Sequence, residues 1–380
     1  MKKVYITGSS LTCALGNNKS NSIKQALKIT QNDYKKFFNP QKNSYFKIKH
    51  NYLTHKEKFY AIIKNIVQEA IEDADLTQDE QKQLHIFIGS TSMSIAINEE
   101  QCDKYYNQDN PQMLQEIGYG NIATYVEELI NSEHKAVIIQ TACTSTANCI
   151  SYAKNLMKKG KIEKALVLGI ELFNKSTYDG FKSLMLPSQS GVYRPFDKKS
   201  DGLILGESCS AVILESTKKT QNDFEVIDSQ ITFDNYSITG SNPNGEATLQ
   251  CMKQLLNKNN MNIDDLTCIK AHATGTENSN LSEAKAIDAL FESYNSKCDV
   301  IILKPYLGHT LGSCGTSETI LLCELIKNNT LPETLNYEQN YSDITFTPLQ
   351  KTKKINQATI LLQFIGFGGS NTALLLSNKD

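Results

Sequence analysis

Residues 135–160, KAVIIQTACTSTANCISYAKNLMKKG, read as a buried strand, a turn of small residues and a helix. Residues 299–329, DVIILKPYLGHTLGSCGTSETILLCELIKNN, repeat that plan, with Val137 and Val300 standing 163 residues apart. Each unit runs on into another apolar strand, KALVLGIEL (164–172) and QATILLQFIGFGG (357–369). Strand, helix and strand in that order predict parallel βαβ units. Both helices open on Ser, Thr, Gly, Ala and Cys instead of charge, so their first turns should be buried and closely packed. The repeat predicts two similar halves, residues 1–218 and 219–380, with KKTQND (218–223) as the linker between them. The two helix starts would then meet near a shared pseudo-dyad.

Further strands are expected at 4–7, 85–89, 210–214 and 267–271, with the repeats' own at 136–140, 165–169, 300–304 and 359–363. Helices are expected at 58–74, where Phe59, Ile62, Ile63, Ile66, Val67, Ala70 and Ile71 share a face, and at 282–294. The 380 residues carry a net charge of −2 and no strongly basic block, which argues against a nucleic-acid binder held by phosphate contacts. The most apolar stretches, such as 319–326, fall far short of the roughly 20 residues a bilayer crossing needs. Met1-Lys2-Lys3 resembles the start of a signal peptide, but Thr7-Gly8-Ser9-Ser10 interrupts the apolar run. Ten scattered cysteines without a CxxC pair are expected to be reduced thiols of a cytoplasmic protein.

Cys143 lies between a strand and a helix start, where the helix dipole and free N–H groups favour the thiolate that attacks carbonyls. A buried core thiol is the competing reading. His272 in IKAHATGT (269–276) and His309 in KPYLGHTLG (304–312) both sit at strand ends in turns of small residues. A zinc site is disfavoured, because Cys143, His272 and His309 are separated by 129 and 37 residues. Gly366-Phe367-Gly368-Gly369-Ser370-Asn371 allows close backbone approach and could offer an N–H to an oxyanion. It lacks the GKS or GKT of a phosphate loop.

Taken together, TACTS around Cys143, KAHATGT around His272, LKPYLGHTLG with Lys304 and His309, and GFGGSN near the C-terminus resemble the β-ketoacyl-acyl carrier protein synthases in order and spacing. Arg194-Pro195-Phe196-Asp197 with Asp201-Gly202 and Gly206-Glu207 is similar to a further motif of that family. The resemblance covers essentially the whole chain. It implies a duplicated thiolase-like α/β fold, five layers αβαβα with two mixed sheets. It also implies a decarboxylative Claisen condensation in fatty acid, polyene or polyketide synthesis. Cys143 would take an acyl group, and a malonyl thioester would then lose carbon dioxide and attack it. No bound cofactor or metal is implied; the substrates ride on the phosphopantetheine of acyl carrier protein.

By the same resemblance, His272 and His309 would stabilise the developing enolate, and Lys304 and Glu318 would orient the histidine. The N–H groups of Cys143 and Phe367 would form an oxyanion hole, with Phe367 also a gate. Thr274 and Thr276 would bind the pantetheine arm, and Glu283 and Asn371 would support the network. Read as residues alone, Lys304, Glu318 and Glu283 would be surface groups. Ala273, Asn280, Pro305, Gln363-Phe364-Ile365 and the run 206–210 depart from the family's pattern. Residues 171–174 with Thr177 and Gly180-Phe181 resemble ketosynthases of aryl polyene clusters. The implied assembly is a homodimer, or a heterodimer with a related ketosynthase or chain-length-factor subunit. Two alternatives use the same fold: a non-catalytic chain-length-factor-like subunit and a degradative thiolase. The first would lack the active cysteine. The second would need another cysteine near the C-terminal glycine loop, where none stands.

Overall fold

The computed structural model describes residues 2–31, 45–106, 118 and 120–379. Among the described residues twelve strands run in chain order: β1 (Tyr5–Cys13), β2 (Tyr45–Phe46), β3 (His85–Gly89), β4 (Val137–Ile139), β5 (Lys164–Glu171), β6 (Leu205–Gly206), β7 (Ser208–Glu215), β8 (Phe224–Phe233), β9 (Cys268–Lys270), β10 (Asp299–Ile301), β11 (Thr359–Ile365) and β12 (Ser370–Ser377). The helices interleave with them: α1 (Lys19–Ala26), α2 (His55–Asp73), α3 (Gln78–Lys82), α4 (Ile95–Tyr106), α5 (Gly120–Leu129), α6 (Ser145–Lys158), α7 (Lys175–Ser183), α8 (Glu246–Lys258), α9 (Glu277–Tyr294), α10 (Lys304–Leu307) and α11 (Cys314–Lys327).

Apart from the small β2–β6 pair, the strands fall into two sets of five with one topology. The first set is ordered β4-β3-β5-β7-β1 and the second β10-β9-β11-β12-β8. In each set three strands are parallel, and the last two in space run antiparallel to their neighbours. The two mixed sheets run into one another through a short antiparallel seam, Tyr5 opposite Glu225 and Ile6 opposite Phe224.

Three apolar cores sort the layers. One, with Ala147, Ile150, Leu321 and Leu325, fills the space between the sheets, where α6 and α11 lie. A second packs the α2 face Phe59, Ile63, Ile66 and Val67 against the outside of the first sheet. The third packs Leu255, Ile287 and Leu290 from α8 and α9 on the outside of the second. The order is therefore helices, sheet, helices, sheet, helices, a duplicated five-layered fold.

Helix α2 begins earlier than its apolar face required, because Thr54 caps it by accepting from the Glu57 N–H at 3.1 Å. Helix α9 likewise starts at Glu277, five residues ahead of the expected 282. The strand expected at 300–304 is shorter: β10 stops at Ile301, and Lys304 opens α10 with Pro305 behind it. Proline fits the start of a helix, where no intrahelical partner exists for its missing N–H. β8 and β12 were not among the strands expected from apolar patterning; the antiparallel course that they and β7 bring makes both sheets mixed, as the resemblance implied.

The first turns of α6 and α11 do meet. A Cβ built on Gly315 would lie 2.0 Å from the Ala147 nitrogen, so only glycine lets the two backbones approach this closely. Thr146 Oγ1 ties them, donating to the Gly312 carbonyl at 2.7 Å and accepting from the Thr316 N–H at 3.2 Å. No helix among the described residues is long and apolar enough to cross a membrane.

Candidate active site

Cys143 sits in the turn between β4 and α6, after Ala142 at φ +52°. It is nearly buried, yet it lines a cavity of about 430 Å³ together with His272, His309, Thr274, Thr276, Phe367 and Asn371. Four distant stretches thus converge: the β4–α6 turn, the loop after β9, the loop after β10, and the glycine-rich turn between β11 and β12. Gly366 presses against the cysteine from the last of these, its Cβ direction pointing 3.3 Å from the Cys143 nitrogen.

The expected thiolate is not favoured here. Burial pushes the Cys143 thiol up to about 12, although the Lys304 charge and the Phe367 N–H both pull the other way. The sulfur is therefore a protonated thiol near neutral pH.

The imidazoles lie with ring centroids 5.2 Å apart and planes at 82°. Burial first, and then the Lys304 charge, hold both well below the ordinary histidine value, so both rings are neutral. Their tautomers follow from their partners. His309 Nδ1 accepts from the Leu311 N–H at 3.2 Å and stands 3.3 Å from the Cys314 thiol. His272 Nδ1 stands 3.2 Å from Lys304 Nζ, an ammonium that can only donate. In each ring the proton is left on Nε2, which makes both Nε2–H groups donors.

Lys304, Glu318 and Glu283 do not behave as surface groups. Lys304 and Glu318 are fully buried and joined at 2.6 Å. Glu318 falls to about 2: burial alone would raise it, and the charges of Lys270 and Lys304 outweigh that. Glu283 is buried and accepts from the backbone N–H groups of His272 and Ala273, each at 2.6 Å. These two bonds hold the loop carrying His272. Ala273 has φ +46°, left-handed backbone that a side chain adopts only at a cost. Asn280 accepts from the Gly275 N–H at 3.0 Å and donates to Ser200 Oγ at 3.1 Å, a two-way role that a carboxylate could not fill. Asn371 accepts from Thr248 at 2.7 Å and donates to the Gly369 carbonyl at 3.1 Å, bracing the glycine-rich turn. Phe367 is half-buried and stacks on Phe181 at 5.7 Å. Thr274 and Thr276 face the cavity half-exposed.

One buried group had not been singled out. Lys270 is fully buried and reaches Glu318 Oε2 at 2.6 Å. Its signal was the strand period: side chains two apart share a face, so Lys270 points the way His272 does.

Sequence-family profiles match most of the chain: "Beta-ketoacyl synthase, N-terminal domain" over residues 21–220 and "Beta-ketoacyl synthase, C-terminal domain" over residues 224–338. A curated relative, 3-oxoacyl-[acyl-carrier-protein] synthase 2 of Coxiella burnetii, is 30% identical over 254 residues, 63% of this chain and 61% of its own. The chain thus spans about three fifths of that relative's length. Among solved structures, a type II polyketide acyl carrier protein in complex with its ketosynthase aligns over 100% of both chains at a TM-score of 0.85 and 18% identity. A Xenorhabdus doucetiae ketosynthase in complex with its chain length factor aligns over 99% of this chain and 98% of its own, at a TM-score of 0.83 and 18% identity. These likenesses speak for the fold. The profile matches reach further, and through them the chain belongs to the β-ketoacyl synthase family.

Proposed function

We propose that the chain is a β-ketoacyl-acyl carrier protein synthase, joining an acyl thioester to malonyl-acyl carrier protein with loss of carbon dioxide. The observation that carries this reading is one cavity lined by a thiol and two neutral imidazoles whose Nε2–H groups are donors. In the first stage the Cys143 sulfur bonds to the acyl carbon, the bond to the pantetheine sulfur breaks, and the thiol proton ends on the departing thiol. Covalent capture splits one difficult step into two. The Phe367 and Cys143 N–H groups serve the oxyanion of that step.

In the second stage the bond between the malonyl carboxylate carbon and its methylene breaks. Carbon dioxide leaves, and the electron pair passes into an enolate whose oxygen accepts from His272 and His309. Neutral donors suit that task, since they stabilise charge without first giving up a proton. The methylene carbon then attacks the acyl group on Cys143, and the thiol is freed by proton uptake. Thr274 and Thr276 guide the pantetheine arm, and Phe367, stacked on Phe181, gates the acyl side.

The partner we infer is acyl carrier protein, with a second chain of the same or a related type, as in the two complexes described above. The stretch 171–181, which carries Phe181, supports an aryl polyene type of substrate. Ten unpaired cysteines accord with a reducing compartment such as the cytoplasm. A chain-length-factor-like role fits less well, because Cys143 shares the cavity with both imidazoles. A degradative thiolase fits less well too: Cys323 is buried within α11.

Intact-mass measurement after incubation with an acyl thioester tests the reading. The parent chain should gain one acyl group and Cys143→Ala none. Acyl transfer by Cys143→Ala at the parent rate would remove the nucleophile assignment.

A further inference from the structure

We infer that Lys270 is a positioning residue for the enolate-forming half of the reaction, acting through Glu318 and Lys304 on His272; the inference rests on the condensing-enzyme reading. The three charged groups form a chain without solvent. Lys270 Nζ donates to Glu318 Oε2 at 2.6 Å, Glu318 Oε1 accepts from Lys304 Nζ at 2.6 Å, and Lys304 Nζ reaches His272 Nδ1 at 3.2 Å. All four residues are buried, at 1% exposure or less.

A lone carboxylate can turn to place either oxygen, or both, on one ammonium. Here each oxygen has its own lysine, so the plane of Glu318 is fixed and Lys304 is held where its remaining N–H groups are free for the imidazole. Lys270 is itself fixed from two further sides. Its ammonium donates to the Gln363 carbonyl at 2.8 Å and sits 3.7 Å over the Phe364 ring. Two of the residues that depart from the family's pattern before the glycine-rich turn thus form the seat of this lysine. Lys304 and Glu318 act on the Cys143 thiol by their charges, with opposite sign, whereas Lys270 is not among the groups that shift it, and acylation itself uses backbone N–H groups. The relay bears on the step that needs the Nε2–H of His272, because the ammonium on Nδ1 dictates where the ring proton resides.

The groups facing Lys270 are Glu318 and Cys314 from α11, Lys304 from α10, Glu283 from α9, His272 after β9 and His309 after α10. Burial, and then the like charge of Lys304, bring Lys270 down to about 8, with Glu318 opposing. The charge at this end of the relay is consequently lost as pH rises through about 8.

The experiment separates the two partial reactions on the full chain. Carbon dioxide release is followed with malonyl-pantetheine as probe, and Cys143 acylation with hexanoyl-pantetheine. Lys270→Met and Lys270→Gln should each lower decarboxylation about tenfold and leave acylation within about twofold of the parent. In the parent chain, which requires no substitution to fold, decarboxylation should fall as pH rises through about 8, while acylation climbs as more thiolate forms. A drop in both reactions together in the variants, or a parent decarboxylation that does not fall across that pH, would overturn the inference. A parent chain that neither takes an acyl group nor releases carbon dioxide would overturn the condensing-enzyme reading as well.

Discussion

Cys143 and its two imidazoles differ in proton inventory: the sulfur keeps its proton until alkaline pH, and burial leaves both rings without a second proton near neutral pH. The raised thiol predicts that alkylation of Cys143 by iodoacetamide is slow at pH 7 and still accelerating at pH values above the roughly 8.5 of a free cysteine. A rate that levels off near pH 8 by peptide mass mapping would contradict the burial argument. Glu318 makes a second, acid-side prediction. Its carboxyl, about 2 in the folded chain against an ordinary value of 4.5, contributes stability in full above 4.5. That contribution is lost as pH falls towards about 2, so Glu318→Gln should flatten the acid limb of a melting-temperature profile. At this scale the sequence exposed the groups that meet at the cavity, since a cysteine and two histidines at strand ends are conspicuous. It concealed their charge states, because desolvation depends on what packs around a group and not on its neighbours in the chain. Lys304 and Glu318 show this directly: as residue types they read as solvated, and only the closure of α10 and α11 makes them a dry pair.

Among the elements, α6 and α11 are tightly constrained, because their first turns meet backbone to backbone at Gly315 and Ala147, tied by Thr146 Oγ1. Gly315→Ala should therefore cost about 3 kcal/mol and lower the melting temperature by several degrees, since the added carbon meets backbone that cannot rotate away. Circular dichroism melts would detect it; an unchanged transition would contradict the close approach. The strands built on continuous apolar runs, β3, β5 and β11, stood out in the sequence because both of their faces are covered. β8 did not: Glu225, Asp228, Ser229 and Gln230 interrupt it, and its polar positions find partners only in the fold. Asp228 accepts from Lys154 of α6 at 2.5 Å, and Ser229 shares a hydrogen bond with Ser151 at 2.7 Å. β12 opens on Ser370 and Asn371, which read as the tail of a glycine loop rather than as paired strand.

Over the whole molecule, the middle core draws on both halves: Leu11 and Val212 from one, Leu362 and Leu376 from the other, all closing on α6 and α11. Neither half can bury its inner face alone, which predicts one cooperative unfolding transition. Far-ultraviolet dichroism and the fluorescence of the 17 tyrosines, in a chain without tryptophan, should trace the same denaturant curve. Two separated transitions would show that the halves stand independently. The duplication itself was legible in the spacing of the two strand–turn–helix units, because equivalent parts of a doubled fold must present the same pattern of apolar and small residues. The pairing of equivalent places has one more consequence. The turn after β4 carries a sulfur, whereas the turn after β10, its counterpart by symmetry, carries a ring. A molecule assembled from two copies of either half would oppose like with like; the meeting of thiol and imidazole at one cavity is a property of broken symmetry, residing in the difference between twins rather than in either one.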